Sequence, residues 1–328
     1  MSQTRLLPAD DTGKDGAAAI LRAGGLVAMP TETVYGLAAD ARSDVAVARI
    51  FEAKGRPRFN PLIVHLPDIA TARRLVKWDD RAEAVAQAFW PGPLTLVLPL
   101  AENAGLSPLV TAGLDSVALR VPAHPLARDL LLRFGGPLAA PSANPSGRVS
   151  PTEPAHVMEA LNGRIEAVLD GGPCAVGVES TILGLTHDTP RLLRPGGLPA
   201  EALAEVLGAM PQPPEAAAGI TAPGQMTSHY APRGRVRLEA IAPEPGETYL
   251  GFGPLPAGAE GAMTLSASGD IVEAAARLFH CLHELDRAGA ERIAVAPVPD
   301  RGLGRAINDR LRRAAAPRGG PESTSYAP

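Results

Sequence analysis

The stretch KGRPRFNPLIVH, residues 54–65, decides how this chain is read. Lys54, Arg56 and Arg58 place three cations within five residues. Pro57 and Pro61 fix φ at two positions, so the segment has few conformations to lose on folding. Residues 62–64 are an apolar run that predicts a buried strand anchoring the loop. A stiff cationic loop feeding a strand suits a polyphosphate, to which Arg offers a planar fork and Lys a point charge. A solvated basic loop would carry the same cations. As a loop, the segment is expected to be exposed and to add little to stability.

The flanks of this stretch predict an α/β fold. Upstream, Ser43 caps a helix through Ala53, with Val45, Ile50 and Phe51 on its apolar side and Gly55 as its left-handed stop. Earlier still, Thr12 or Asp15 caps a first helix that ends at Gly24-Gly25, and residues 26–29 are a strand. Downstream, a helix over 79–89 stops at Trp90-Pro91-Gly92-Pro93, and residues 94–98 and 117–121 are strands. Pro125 opens a helix to about Arg133, 138–140 is a short strand, 153–161 a helix, and 167–169 and 181–185 strands. The irregular alternation predicts a twisted, mixed sheet. Residues 209–235 carry no period and are rich in Pro, Ala and Gly, the signature of a linker. Beyond them, strands at 236–238, 248–251, 262–265 and 292–296, with helices at 270–288 and 303–315, predict a smaller Rossmann-like domain without a GxGxxG loop. The expected organisation is a catalytic domain at 1–208, a linker or lid at 209–235, and a second α/β domain at 236–328 with a disordered tail from Pro317.

Composition narrows the function classes. The 328 residues are 45% hydrophobic and 20% charged, as in ordinary globular proteins long enough for two domains. A net charge of -4 opposes a general nucleic-acid or membrane-surface role, and aromatics are only 4%. The two cysteines, Cys174 and Cys281, form no CxxC, which fits a reducing cytosol. The N-terminus has no apolar leader and no run reaches membrane-span length, so a cytoplasmic protein is expected.

Polar, Gly/Pro-framed loops leave several apolar strands, where α/β folds place ligands. PTETVYGL (30–37) offers Thr31, Glu32, Thr33 and Tyr35; an ordinary turn would use such groups too. SVALRVP (116–122) buries Arg120 in an apolar strand, so Arg120 needs an anion, either an internal carboxylate or a substrate carboxylate. APSANPSGRVS (140–150) is rich in donors and could wrap phosphates. VESTI (178–182), Arg194-Pro195-Gly196 and His229-Tyr230-Ala231-Pro232 complete the set. The run RLRR (310–313) is read as a solvated helix face, and it is the feature that leaves RNA contact open.

In this order PTETVYGL, KGRPRFNPL, WPGPLTLVLP, ALRVP, APSAN, VESTI, RPG and PGQMTSHYAP closely resemble the threonylcarbamoyl-AMP synthases, the YrdC-like family, in their longer two-domain form. The resemblance is strong over about 12–235. It implies an enzyme that makes threonylcarbamoyl-AMP and pyrophosphate from L-threonine, bicarbonate and ATP, with Mg2+ on the phosphates. The product would pass to a tRNA threonylcarbamoyl transferase. It also implies Lys54 and Arg56 as catalytic groups. ATP contacts are implied at Lys54, Arg56, Asn60, Ser116, Ser142, Asn144, Ser150, Arg194 and Tyr230. Threonine contacts are implied at Thr33, His65, Arg120, Ser180 and the backbone of Ala140. Met226, Thr227 and Ser228 stand where some relatives carry basic residues, which weakens a charge grip by the linker. No general base stands out. Two rivals remain: a carbamoyl-transferring relative of the kind found in hydrogenase maturation, and a non-enzymatic RNA-binding module.

Overall fold

The computed structural model describes residues 3–214, 221–226, 228–259 and 261–317. The first lobe begins β1 (Arg5–Leu7), α1 (Asp11–Arg22), β2 (Val27–Met29), β3 (Gly36–Asp40), α2 (Asp44–Lys54), β4 (Ile63–His65) and α3 (Ile69–Leu75). It continues α4 (Asp80–Phe89), β5 (Leu94–Pro99), α5 (Pro108–Thr111), β6 (Ser116–Arg120), α6 (Pro125–Phe134), β7 (Leu138–Ala139) and α7 (Pro154–Leu161). It ends β8 (Ala167–Leu169), β9 (Thr181–Gly184), β10 (Arg191–Arg194) and α8 (Ala200–Leu207). The second lobe holds β11 (Arg235–Arg237), β12 (Thr248–Gly251), β13 (Met263–Thr264), α9 (Ile271–Arg287), β14 (Arg292–Val295) and α10 (Gly304–Ala315).

Ten strands make one mixed sheet in the order β1-β8-β2-β3-β7-β4-β6-β5-β9-β10, and the second lobe has a four-stranded sheet in the order β11-β14-β12-β13. The second sheet is parallel throughout, whereas the first mixes parallel pairs such as β4–β6 with antiparallel pairs such as β5–β6. This is the expected fold class. The strands β4, β6 and β9 are buried along their whole length, as strands covered on both faces must be. Parallel register sets His65 beside Arg120, so two polar side chains leave adjacent strand ends together.

Local signals explain most helix ends, with corrections. Ser43 caps α2 through the Ala46 amide, and Gly55 ends it at φ 60°. Val45 does not join the apolar side; it is 73% exposed. Ala46, Val47, Ile50 and Phe51 form the buried stripe at helical spacing, and Val45 lies off it. Asp10, not Thr12 or Asp15, caps α1 by accepting from Gly13. The short elements β1, β3, α3, α5, β10 and α8 were not expected.

The two lobes share one core. Val34, Val149 and Val178 of the first lobe and Tyr230 of the connecting segment pack with Leu278, Phe279 and Leu282 of α9. Each fully buried side chain of this kind stabilises by about 1.5–3 kcal/mol. Gly177 makes the approach possible, because a Cβ there would lie 2.4 Å from the Cα of Ala276 on α9. The connecting segment is therefore packed where it is described. Residues 215–220, Thr227 and the tail 318–328 lie outside the described residues. Among the described residues no helix is long and apolar enough to cross a membrane.

Candidate active site between the lobes

One cavity gathers most of the loops singled out above. Thr33, His65, Arg120 and Ser180 line it from strand ends of the first lobe, and Ala140 and Ser142 from the end of β7. Arg56 and Arg194 supply cations, and Pro223, Gly224, His229 and Tyr230 close it from the connecting segment. Nine of the fourteen sequence-chosen residues thus face one space. Its free volume is about 40 Å³, room for about three waters.

The cationic loop is not the exposed loop expected. Lys54 and Arg56 are buried, whereas Gly55, Arg58 and Phe59 are exposed. Arg56 gives its Nε to the Asn60 carbonyl and its Nη2 to that of Pro61. Lys54 is the last residue of α2, so its ammonium reaches across to the Ser142 carbonyl at 2.5 Å and to that of Asn144. It clips one loop to the other and stands behind the cavity wall. Arg194 donates to the Ser180 carbonyl at 2.8 Å and to its hydroxyl at 3.2 Å. None of the three cations has a carboxylate within ion-pair distance among the described residues. Burial accordingly lowers Lys54 well below its ordinary range, and it lowers Arg194 and takes Arg56 down to about 10. Buried charge without a counter-charge is costly, so these groups are set for an anion that enters from outside.

At the other end of the cavity the charges are balanced. Arg120 meets Glu32 at 2.6 Å, Thr33 Oγ1 at 2.9 Å and the Gly92 carbonyl at 3.3 Å. Glu32 Oε2 accepts from Ala123. Burial works to raise Glu32, but the charge and hydrogen bond of Arg120 outweigh it and hold Glu32 ionised. Arg120 thus has the internal carboxylate that the sequence reading left open, and it still lines the cavity. Three of its five N–H groups are used, leaving one on each terminal nitrogen. His65 is fully desolvated beside Arg120, which lowers it to about 3 and keeps it neutral, and its Nδ1 is buried without a partner.

The remaining candidates divide. Asn60 and Asn144 each leave a buried Oδ1 unpartnered beside the cationic loop. Ser150 gives its hydroxyl to Glu179 at 2.5 Å, and Ser180 Oγ meets Thr95 Oγ1 at 2.7 Å. Ser116 lies apart, in a second cavity of about 220 Å³ that includes Asp115, His187 and Gln225. Between the cavities is an apolar floor of Ile63, Val97, Ala118 and Ile182, covered by Ala222 of the connecting segment. Tyr35 is structural; its hydroxyl is fixed between Gly171 and Gly172.

Sequence reasoning offers Glu32 as a loop group without its partner Arg120, misses Glu179 as a site group and misreads Arg310. Of the expected solvated RLRR face only Arg312 is exposed; Arg310 is fully buried and paired with Glu179 and Asp309. Glu179 carried a usable signal: an acidic residue beside an apolar strand, the same pattern that marked Arg120. Gly196 is needed because a Cβ there would meet the backbone of Ser180 at 2.3 Å. Tyr230 takes φ 61°, rare for a bulky residue, and its ring packs at a tilt against those of His229 and Phe279.

The comparisons with known proteins bear on this site. Residues 19–196 match the family model described as "Telomere recombination", and residues 198–316 match "Threonylcarbamoyl-AMP synthase, C-terminal domain". The threonylcarbamoyl-AMP synthase of Pyrococcus abyssi is 44% identical over 317 residues, covering 91% of this chain and 93% of that one. That of Bacillus subtilis is 41% identical over 325 residues, covering 92% of each. The crystal structure of P. abyssi Sua5 complexed with L-threonine superposes with a TM-score of 0.88 at 39% identity, covering 96% of this chain and 98% of that one.

Proposed function

This chain belongs to the threonylcarbamoyl-AMP synthase family in its long, two-domain form, and from that premise we propose how its site works. It is a nucleotidyltransferase that makes threonylcarbamoyl-AMP, with L-threonine and ATP as substrates. The observation that carries the assignment of roles is the pair of unlike ends of one cavity. Three buried cations lack a carboxylate at one end, and a balanced Arg120–Glu32 pair with free N–H groups lies at the other.

Threonine takes the balanced end. Its carboxylate accepts the two free N–H groups of Arg120, and Thr33, His65 and Ser180 surround its hydroxyl. The amine adds to the carbon of CO2 and loses a proton, or to the carbon of bicarbonate with loss of water, giving a carbamate. A carbamate oxygen then attacks the α-phosphorus of ATP, and pyrophosphate leaves. Two anions must meet in that step, so Arg56 and Arg194 at the cavity and Lys54 behind it supply the opposing charge. Positioning by Arg120 and Ala140, with no dedicated base, suits this chemistry.

ATP needs more room than the closed cavity gives. Lifting the segment that carries Ala222, Pro223, Gly224, His229 and Tyr230 would join the two cavities over the apolar floor. The adenosine then lies toward Ser116, and Asn60, Ser142, Asn144 and Ser150 edge the phosphates. Closure of the same segment excludes water from the labile carbamate. Mg2+ would fit as a rider held by phosphate oxygens and several waters, because the one carboxylate among the described lining residues, Glu179, is already engaged by Ser150 and Arg310. The adenylate passes on to a tRNA threonylcarbamoyl transferase.

The test is pyrophosphate release from ATP. It should require both L-threonine and bicarbonate. Release without threonine would favour the carbamoyl-transferring rival, and RNA binding without release would favour the third class.

A further inference from the structure

We propose that Arg310, on the last helix of the second lobe, is a positioning residue for the nucleotide site, acting through Glu179 and Tyr230. This rests on the ATP-site reading above. Arg310 is the largest fully buried side chain among the described residues. It leaves α10, crosses the lobe boundary and gives Nε to Glu179 Oε2 at 2.7 Å. Its Nη1 reaches the Pro195 carbonyl at 2.9 Å, in the segment between β10 and α8, and Asp309 Oδ2 at 2.7 Å. Its guanidinium lies 5.1 Å from the centre of the Tyr230 ring. Nη2 is buried without a partner, an arrangement that fold stability alone does not favour.

Two of these partners, Glu179 and Tyr230, belong to the site. Glu179 lines the cavity, and its other oxygen takes the Ser150 hydroxyl. Tyr230 forms the roof. A lone carboxylate at Glu179 would repel a polyphosphate. Arg310 cancels that charge, and it orients the carboxylate so that Oε1 holds Ser150. The same guanidinium seats the Tyr230 ring. Arg310 thus carries the second lobe's charge to the site: its contribution is to neutralise and aim Glu179.

The readout is steady-state pyrophosphate release by the full chain. Arg310→Met should raise the KM for ATP tenfold or more and leave the KM for threonine within about twofold. Glu179→Gln added to Arg310→Met should recover most of the ATP KM, because the neutral amide needs no counter-charge. A merely structural Arg310 would give no such split and no such recovery. A folded Arg310→Met with wild-type KM for ATP, or a double variant no better than the single, would overturn the proposal. If Arg310→Met does not fold, Arg310→Lys keeps the charge and loses only the orienting fork, and a smaller split in the same direction, about threefold in the KM for ATP with the KM for threonine unchanged, is expected. If neither variant folds, Arg310 is structural and the proposal fails. Wild-type protein that releases no pyrophosphate with threonine would instead overturn the reading of the site.

Discussion

Two sets of buried cations lie within one molecule and are balanced in opposite ways. At the cavity, Lys54, Arg56 and Arg194 are buried against carbonyls and a hydroxyl, and all three are shifted toward neutrality. At the lobe boundary, Arg310 is buried more completely, yet Tyr230, Glu179 and Asp309 outweigh the burial and hold it charged. The first set costs stability and, in the function proposed above, is balanced by the polyphosphate. The second set is already paired, so breaking it leaves a charge alone in the interior, at about 3–5 kcal/mol. Burial by itself does not mark a binding group; burial without a counter-charge does.

Loss of Arg56 should cost the most activity. Arg56→Met should reduce kcat/KM for ATP by about 100-fold or more, the scale of one lost charge-stabilising donor, while the fold persists. The fold is expected to hold because the removed charge was uncompensated, not because the loop is exposed. A folded variant with wild-type turnover would remove Arg56 from the site.

Arg120 sharpens the comparison, since it is both paired and in the cavity. Arg120→Lys keeps a charge for Glu32 but loses the planar fork. The KM for threonine should rise about tenfold or more, with the KM for ATP little changed. Equal effects on both substrates would make Arg120 a support for Glu32 and Thr33 only.

A smaller effect is expected at the roof. Tyr230→Ala should slow pyrophosphate release about three- to tenfold and speed loss of the labile product, because water enters over the cavity. Unchanged product lifetime would reduce the connecting segment to a tether.

The smallest effect is on pH. Burial holds His65 and His156 neutral down to about 3, whereas an unfolded His takes up its proton near 6.5. Their contribution is thus complete above about pH 6.5 and is lost as the pH falls toward 3. The slope is at most about 1.4 kcal/mol per pH unit for each His. Melting of wild type and His156→Gln between pH 7.5 and 5 should diverge, with the variant flatter. Parallel curves would contradict this.

The sequence made local chemistry legible and distant partnership not. The stop at Gly55, the cap at Ser43 and the run at 62–64 each act within a few residues, and they stand as read. The strand β1 was invisible because its partner β8 lies some 160 positions away, and β3, GLAAD, has no β-branched residue. Arg310 was misread for the same reason: an arginine in RLRR looks solvated until Glu179, 131 positions earlier, is placed against it. Arg120 was recognised as needing an anion, but Glu32 as one such anion required the fold. Ser116 was carried by its motif and lies in the neighbouring cavity, across an apolar floor that no linear pattern draws.

The most direct test of the balance argument is the melting temperature of Arg194→Met beside wild type, each with and without saturating ATP and Mg2+. Without ligand the variant should melt at or above wild type, since it loses a buried charge that nothing offsets. With ATP, wild type should gain several degrees and the variant little. A variant that melts several degrees lower without ligand, yet gains as much from ATP as wild type, would contradict the account.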